Sequence, residues 1–193
     1  MTKKPPRLRF APLTPERWAD FAKLFGPRGA SSGCWCMWWR LERKDYRAGQ
    51  GATNKRRMRR LVDGGAKPGI LAYAGREPAG WIALAPREDY PGLAKARTLK
   101  PIDDQPVWSV TCFFVARPFR GRGVTTQLLN AAATFAKKQG ARLLEGYPNQ
   151  AGAGWPEPAL WTGLVKPFRD AKFKVVAKPS RSRRIMRRAL SRG

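Results

Sequence analysis

The spacing of apolar residues changes several times along the chain, and each change predicts a new element. Leu8 to Phe10 suits the start of a strand. Thr14, Pro15 and Glu16 form a helix-start signature, with a capping hydroxyl, a proline at the first position and an acid in the first turn. Trp18, Phe21, Ala22 and Phe25 then recur at helical spacing until Gly26 and Pro27 end the run. A basic stretch from about Thr53 to Val62 carries a narrow apolar stripe of Met58, Leu61 and Val62, stopped by Gly64 and Gly65. Ile70 to Ala74 and Gly80 to Ala85 read as two strands of a hairpin, joined by a turn with Gly75 and Pro78. Residues 86–106 carry no clear period.

The second half is more regular. Val107 to Val115, VWSVTCFFV, is nearly continuous in β-formers, the pattern of a central strand buried on both faces. A helix follows, its stripe formed by Val124, Leu128, Leu129, Ala132, Phe135 and Ala136 and closed by Gly140. Arg142 to Tyr147 resumes as a strand, which predicts a crossover with two parallel strands. A last helix over Leu160 to Ala171, a strand over Phe173 to Ala177 and a basic strand near Arg184 to Leu190 complete the chain. The order predicts an α/β fold, a mixed sheet flanked by helices, in one domain over residues 1–193.

Composition narrows the picture. The chain has 193 residues and no apolar run of the roughly 18 residues a membrane span needs. Its start, MTKKPPRLRF, lacks a hydrophobic signal core, so a cytoplasmic location is expected. There are three cysteines, Cys34, Cys36 and Cys112, and no histidine, which falls short of a four-ligand zinc set; no metal is expected. Thirty-nine Lys and Arg against thirteen Asp and Glu leave a net charge of +26. Such a surface attracts polyanions, phosphorylated ligands among them.

The candidate chemistry lies between the central strand and its helix, in ARPFRGRGVTTQLL. Glycines let the backbone approach a ligand, and the unpaired amides of a helix start attract anions. Arg117, Arg120 and Arg122 add guanidinium forks suited to phosphate oxygens. The turn lacks both the GK[ST] ending of a P-loop and the third glycine of a dinucleotide fingerprint.

The segment resembles the acetyl-CoA motif R/Q-x-x-G-x-G/A of the GNAT superfamily of N-acetyltransferases. Arg120 and Gly123 match its first and fourth positions, and Thr125 stands where Gly or Ala is usual. The helix, the LLEGYP strand and FRDAKF at Phe168 to Phe173 follow in family order, with Phe168 in place of a tyrosine. The first half, with GCWCMWWR, is similar to a little-characterised bacterial branch. The resemblance implies that the amides of Arg120, Gly121, Arg122, Gly123, Val124, Thr125 and Thr126 hold the CoA pyrophosphate. It implies too that Phe113, Phe114 and Val115 line the pantetheine arm, near Phe168, where the two parallel strands splay. An amide near Phe114 would then polarise the thioester carbonyl. Acetyl transfer would pass directly to a primary amine of a small molecule or peptide, and a homodimer is compatible with family habit.

The attacking amine must be neutral, which for a lysine-like amine at neutral pH costs about 4 kcal/mol. Without histidine, the base is a carboxylate, a tyrosine or a water they hold. Glu145 and Tyr147, on one face of their strand near the expected splay, are the candidates for base and for thiolate acid. Cys112, mid-strand, reads as a small buried residue. Trp35, Trp38 and Trp39 share a face at helical spacing and are either core or the wall of an acceptor pocket. A different class of function, a nucleic-acid-binding module, is suggested by Arg56, Arg57, Arg59, Arg60 and the segment Lys178 to Arg192. Ile185, Met186, Ala189 and Leu190 interrupt that segment in the manner of a closing strand.

Overall fold

The computed structural model describes residues 7–152 and 161–190. Seven strands form one sheet in the order β1-β2-β3-β4-β5-β7-β6. They are β1 (Arg9–Pro12), β2 (Gly69–Ala74), β3 (Glu77–Pro86), β4 (Trp108–Val115), β5 (Leu143–Gly146), β6 (Lys174–Ala177) and β7 (Ile185–Ala189). The helices are α1 (Trp18–Phe25), α2 (Arg43–Ala48), α3 (Ala52–Asp63), α4 (Pro91–Ala94), α5 (Val124–Lys138) and α6 (Val165–Asp170). β4 and β5 pair in parallel across α5, and the other neighbours pair antiparallel. This is the predicted mixed sheet flanked by helices, with β4 at its centre.

Alternation along the strands explains why they read as continuous apolar runs. Ile70 and Ala72 of β2, with Ile82 and Leu84 of β3, face a core built from Leu128, Leu129, Ala132 and Ala136 of α5. Leu71, Tyr73, Trp81 and Ala83 face the other way, against Phe21 and Phe25 of α1 and Met58 and Val62 of α3. Each fully buried Leu or Phe stabilises the fold by about 1.5–3 kcal/mol, so both layers are needed. No helix among the described residues is long and apolar enough to cross a membrane.

Three local expectations need revision. Thr14 makes no side-chain cap to the following turn; its hydroxyl accepts a hydrogen bond from Arg17 at 3.0 Å, and α1 begins only at Trp18 after a 3-10 turn at Pro15–Arg17. Residues 86–106 are not wholly irregular, since they hold a 3-10 turn at Arg87–Asp89 and α4. The last helix is short, Val165–Asp170, and the predicted start at Leu160 lies outside the described residues. The basic C-terminal segment is the expected strand, β7, held between β5 and β6.

Candidate active site

The site begins where the parallel pair comes apart. β4 and β5 are in register at Trp108 with Leu144, Ser109 with Glu145 and Val110 with Gly146, and the pairing stops there. On the other edge of β4 the register slips between Ala83 and Leu84, so Thr111 is an extra residue that bends the strand. Beyond the bend, the Phe113 amide donates to the Trp161 carbonyl at 2.7 Å. Trp161 is brought there by a cross-brace: the Asn149 amide donates to the Gly163 carbonyl at 2.9 Å, and Arg183 donates to Tyr147 O at 2.6 Å and Thr162 Oγ1 at 2.7 Å.

Amides alternate along a strand, and Ala116 donates to Ala79 on β3. Phe114 therefore directs its amide to β3, and Phe113 and Val115 direct theirs to the gap. The amides near Phe114 that face the gap are therefore those of its two neighbours, and the Phe113 one is already engaged by Trp161. The Val115 carbonyl, on the gap side, accepts from Arg120 Nε at 3.0 Å, which ties the arginine to the end of β4.

The turn from β4 into α5 is built as an anion cradle. Gly121 and Gly123 have φ of +68° and +70°, a left-handed conformation that side chains disfavour. Gly123 is the N-cap of α5 and no side chain caps that end, so the amides of Val124, Thr125 and Thr126 have no partner from within the helix. Arg122 Nε is buried without a hydrogen-bond partner among the described residues. Unpaired amides, a helix dipole and a guanidinium suit a phosphate group. Val124 itself turns inward and packs in the core.

A cavity of about 800 Å³ runs from this cradle past the gap. Phe113, Phe114, Val115, Arg120 and Thr125 line it. Phe168 does not; it is fully buried beneath the gap, edge-on to Phe113 at 5.9 Å and Phe173 at 5.0 Å. A Cβ on Gly146 would lie 2.2 Å from its ring, so the glycine is what lets Phe168 fill that space.

The tryptophans divide. Residues 35–41 are turns, not a helix, with Trp35 and Cys36 at φ of +47° and +60°, so the helical-face expectation fails. Trp35 is core, stacked on Phe25 at 5.8 Å and Trp18 at 6.4 Å. Trp38 and Trp39 line the cavity, joined by Trp161 at 6.1 and 5.8 Å and by Tyr46 of α2, 4.9 Å from Trp38. Trp39 Nε1 is buried with no partner among the described residues. Trp161 carries no sequence signal for this place, because the loop that delivers it is not periodic.

The two catalytic candidates are placed elsewhere. Glu145 and Tyr147 are buried, 1% and 0% exposed, and neither lines the cavity. The Glu145 carboxylate accepts from Arg87 at 3.1 Å, from Arg187 at 2.7 Å and from the Tyr147 hydroxyl at 2.7 Å. Arg187 also binds Asp103 through two bonds of 2.6 and 3.1 Å, and Arg87 donates to the Leu99 carbonyl. Burial, and then the charge of Glu145, push the Tyr147 phenol well above its ordinary value. A carboxylate shared by two guanidinium groups and a phenol held protonated make an internal brace between β5, β7 and the Arg87 turn. This corrects the expectation that they meet a substrate. The ionisable side chains that do line the cavity are Cys34, Cys36, Cys112, Tyr46 and Arg120. Among the described residues no cluster suits a metal ion.

Comparison with known proteins agrees with this architecture. No curated protein matches the sequence. Among solved structures, arylalkylamine N-acetyltransferase 2 from Aedes aegypti aligns with a TM-score of 0.58 at 14% identity, covering 96% of this chain and 100% of that one. A GNAT-family acetyltransferase from Desulfovibrio desulfuricans aligns at 0.55 and 14%, covering 96% and 100%. The PaiA N-acetyltransferase from Thermoplasma acidophilum, solved with coenzyme A, aligns at 0.53 and 14%, covering 95% and 99%. At these identities the likeness is one of fold. The family model described as Acetyltransferase (GNAT) family matches residues 35–153, which take in the tryptophan turn, the central strand, the cradle and β5, and the chain belongs to that family.

Proposed function

We propose that the protein is a cytoplasmic N-acetyltransferase that moves the acetyl group of acetyl-CoA directly to the primary amine of a small-molecule or peptide acceptor. The observation that carries this reading is the parting of β4 from β5 after Val110 and Gly146, with an uncapped, glycine-opened helix at the same end of the strand. The cradle at Arg120 to Thr126 suits the pyrophosphate, and Phe113, Phe114 and Val115 offer an apolar wall and the gap-facing backbone of β4 to the arm. Coenzyme A supplies the acetyl thioester; the protein's part is to bind, orient and keep water from it. Trp38, Trp39 and Trp161 give the acceptor a flat, apolar or cation-binding surface.

The test is thermal shift with acetyl-CoA. A ligand at about a hundred times its Kd stabilises the native state by about 2.7 kcal/mol, and Gly123→Glu removes that gain by setting a carboxylate in the cradle. An absent shift in the wild type, or an equal one in Gly123→Glu, refutes the reading. The net charge of +26 favours the second reading, a nucleic-acid-binding module, which salt-sensitive retention on RNA or DNA without any response to CoA would establish.

A further inference from the structure

The cavity that receives the reacting groups has one wall made of thiols. Cys34, Cys36 and Cys112 all face it. Cys112 follows directly on the Thr111 bend, at the point where the gap opens. Cys36 comes from the turn on the opposite side, and its sulfur accepts a hydrogen bond from the Trp81 indole at 3.1 Å, while the Cys112 thiol donates to the Phe113 carbonyl at 3.7 Å. Tyr46 lines the same wall.

The backbone that delivers Cys36 is strained. Trp35 and Cys36 are consecutive and both left-handed, a conformation that costs about 1–2 kcal/mol for each residue with a side chain. Glycine at position 36 would relieve that cost and lose the sulfur. Strain held against a cavity by packed surroundings is a known feature of reacting sites. Here it puts the Cys36 sulfur on the cavity wall, where the Trp81 indole already points at it.

We propose that Cys36 is the proton acceptor of the acetyl transfer, the role that neither Glu145 nor Tyr147 can reach. The inference rests on the acetyl-CoA reading above. An ammonium acceptor gripped by the tryptophans loses one proton to the Cys36 thiolate, and the freed lone pair attacks the acetyl carbon. As the C–N bond forms the C–S bond breaks, a second proton from nitrogen neutralises the departing thiolate, and Cys36 returns its proton to solvent. No oxidant or metal is involved. The groups that face Cys36 are consistent with a stabilised thiolate. Neighbouring Cys112, the Trp81 indole and the Arg40 charge draw it below the ordinary thiol range against the opposing effect of burial. Burial, and then the Cys36 charge, raise Cys34, and Cys36 and burial raise Cys112. Tyr46 is pushed up to about 12 and Tyr90 is also raised, both chiefly by burial, so the two nearby phenols stay protonated.

The test reads position and ionisation before activity. The full chain is treated with iodoacetamide between about pH 6 and about pH 10, with and without coenzyme A, and alkylation of each cysteine is followed by peptide mass spectrometry. The pH midpoint for alkylation of Cys36, the most buried of the three thiols, is expected below those of Cys34 and Cys112 and below an ordinary thiol, and saturating coenzyme A is expected to shield it about tenfold or more. With tryptamine as acceptor, Cys36→Ala and Cys36→Ser are expected to lower kcat by about 10²–10⁴ and to flatten its rise with pH. Calorimetry is expected to find the coenzyme A Kd unchanged, and the serine variant controls for folding. A wild-type pH profile in Cys36→Ser overturns the proposal, as does a midpoint for Cys36 alkylation no lower than those of its neighbours. A mass gain of one acetyl group on Cys36 overturns it too, in favour of a covalent relay. If the wild type binds no coenzyme A, the acetyl-CoA reading itself fails; if it binds and Cys36→Ser behaves as wild type, only the proton-acceptor role falls.

Discussion

Glu145→Ala separates bracing from catalysis. The side chains of Glu145, Arg187 and Arg87 are 2%, 9% and 14% exposed, so the carboxylate balances two guanidinium groups almost out of water. Removing one partner of a buried pair costs about 3–5 kcal/mol because the other charge is left unpaired. Arg187 keeps its two bonds to Asp103, and Arg87 keeps the Tyr147 hydroxyl and the Leu99 carbonyl, which puts the loss at the low end, about 3 kcal/mol. For a chain of this length each kcal/mol lowers Tm by about 2–4 °C, so the variant melts about 6–12 °C below wild type. Urea unfolding gives the free energy and a thermal scan the Tm. Glu145→Gln, which still accepts from Tyr147, loses less. The reasoning is refuted if Glu145→Ala unfolds within about 1 kcal/mol of wild type while turnover collapses at unchanged acetyl-CoA affinity, since that is the signature of a residue at the reacting atoms.

Further outcomes follow from other contacts. Gly146→Ala drives a methyl into the Phe168 ring and is expected to destabilise by about 1–3 kcal/mol; adding Phe168→Leu recovers part of this in the same unfolding assay. The Arg187 hydrogen bonds hold the Asp103 carboxyl below its ordinary value of 3.8. That contribution is complete above the unfolded-state value and is lost as pH falls through the lower folded-state one. Asp103→Asn therefore reduces the loss of Tm on acidification in that window, and an unaltered acid limb argues against the pair. Trp38→Ala is expected to raise the KM for an aromatic amine several-fold with coenzyme A affinity unchanged in calorimetry, whereas unchanged acceptor KM assigns the ring to packing.

What the sequence makes legible depends on how local the cause is. β4, α5 and β5 are set by short periodic runs, and the cradle by two glycines and three arginines within a few residues, so both are readable from the order of residue types. The ends of pairings are less so: nothing in VWSVTCFFV marks Val110 as the last partner of β5. Glu145 and Tyr147 alternate as a catalytic pair would, but what decides their role is Arg87 and Arg187, which are 58 and 42 positions away from Glu145. The turn at Trp35 and Cys36 is not legible in the sequence, because three tryptophans at helical spacing outweigh a backbone conformation that composition does not announce. Trp161 joins the site through hydrogen bonds from Asn149 and Arg183 to its neighbours, which only the folded chain brings together.

That same residue joins two regions of the molecule. Its carbonyl holds the Phe113 amide, while its ring abuts Trp38 and Trp39. A ligand that competes for the amide displaces the carbonyl of the residue that also carries the ring, so under the proposed function the thioester side and the amine side meet at one residue.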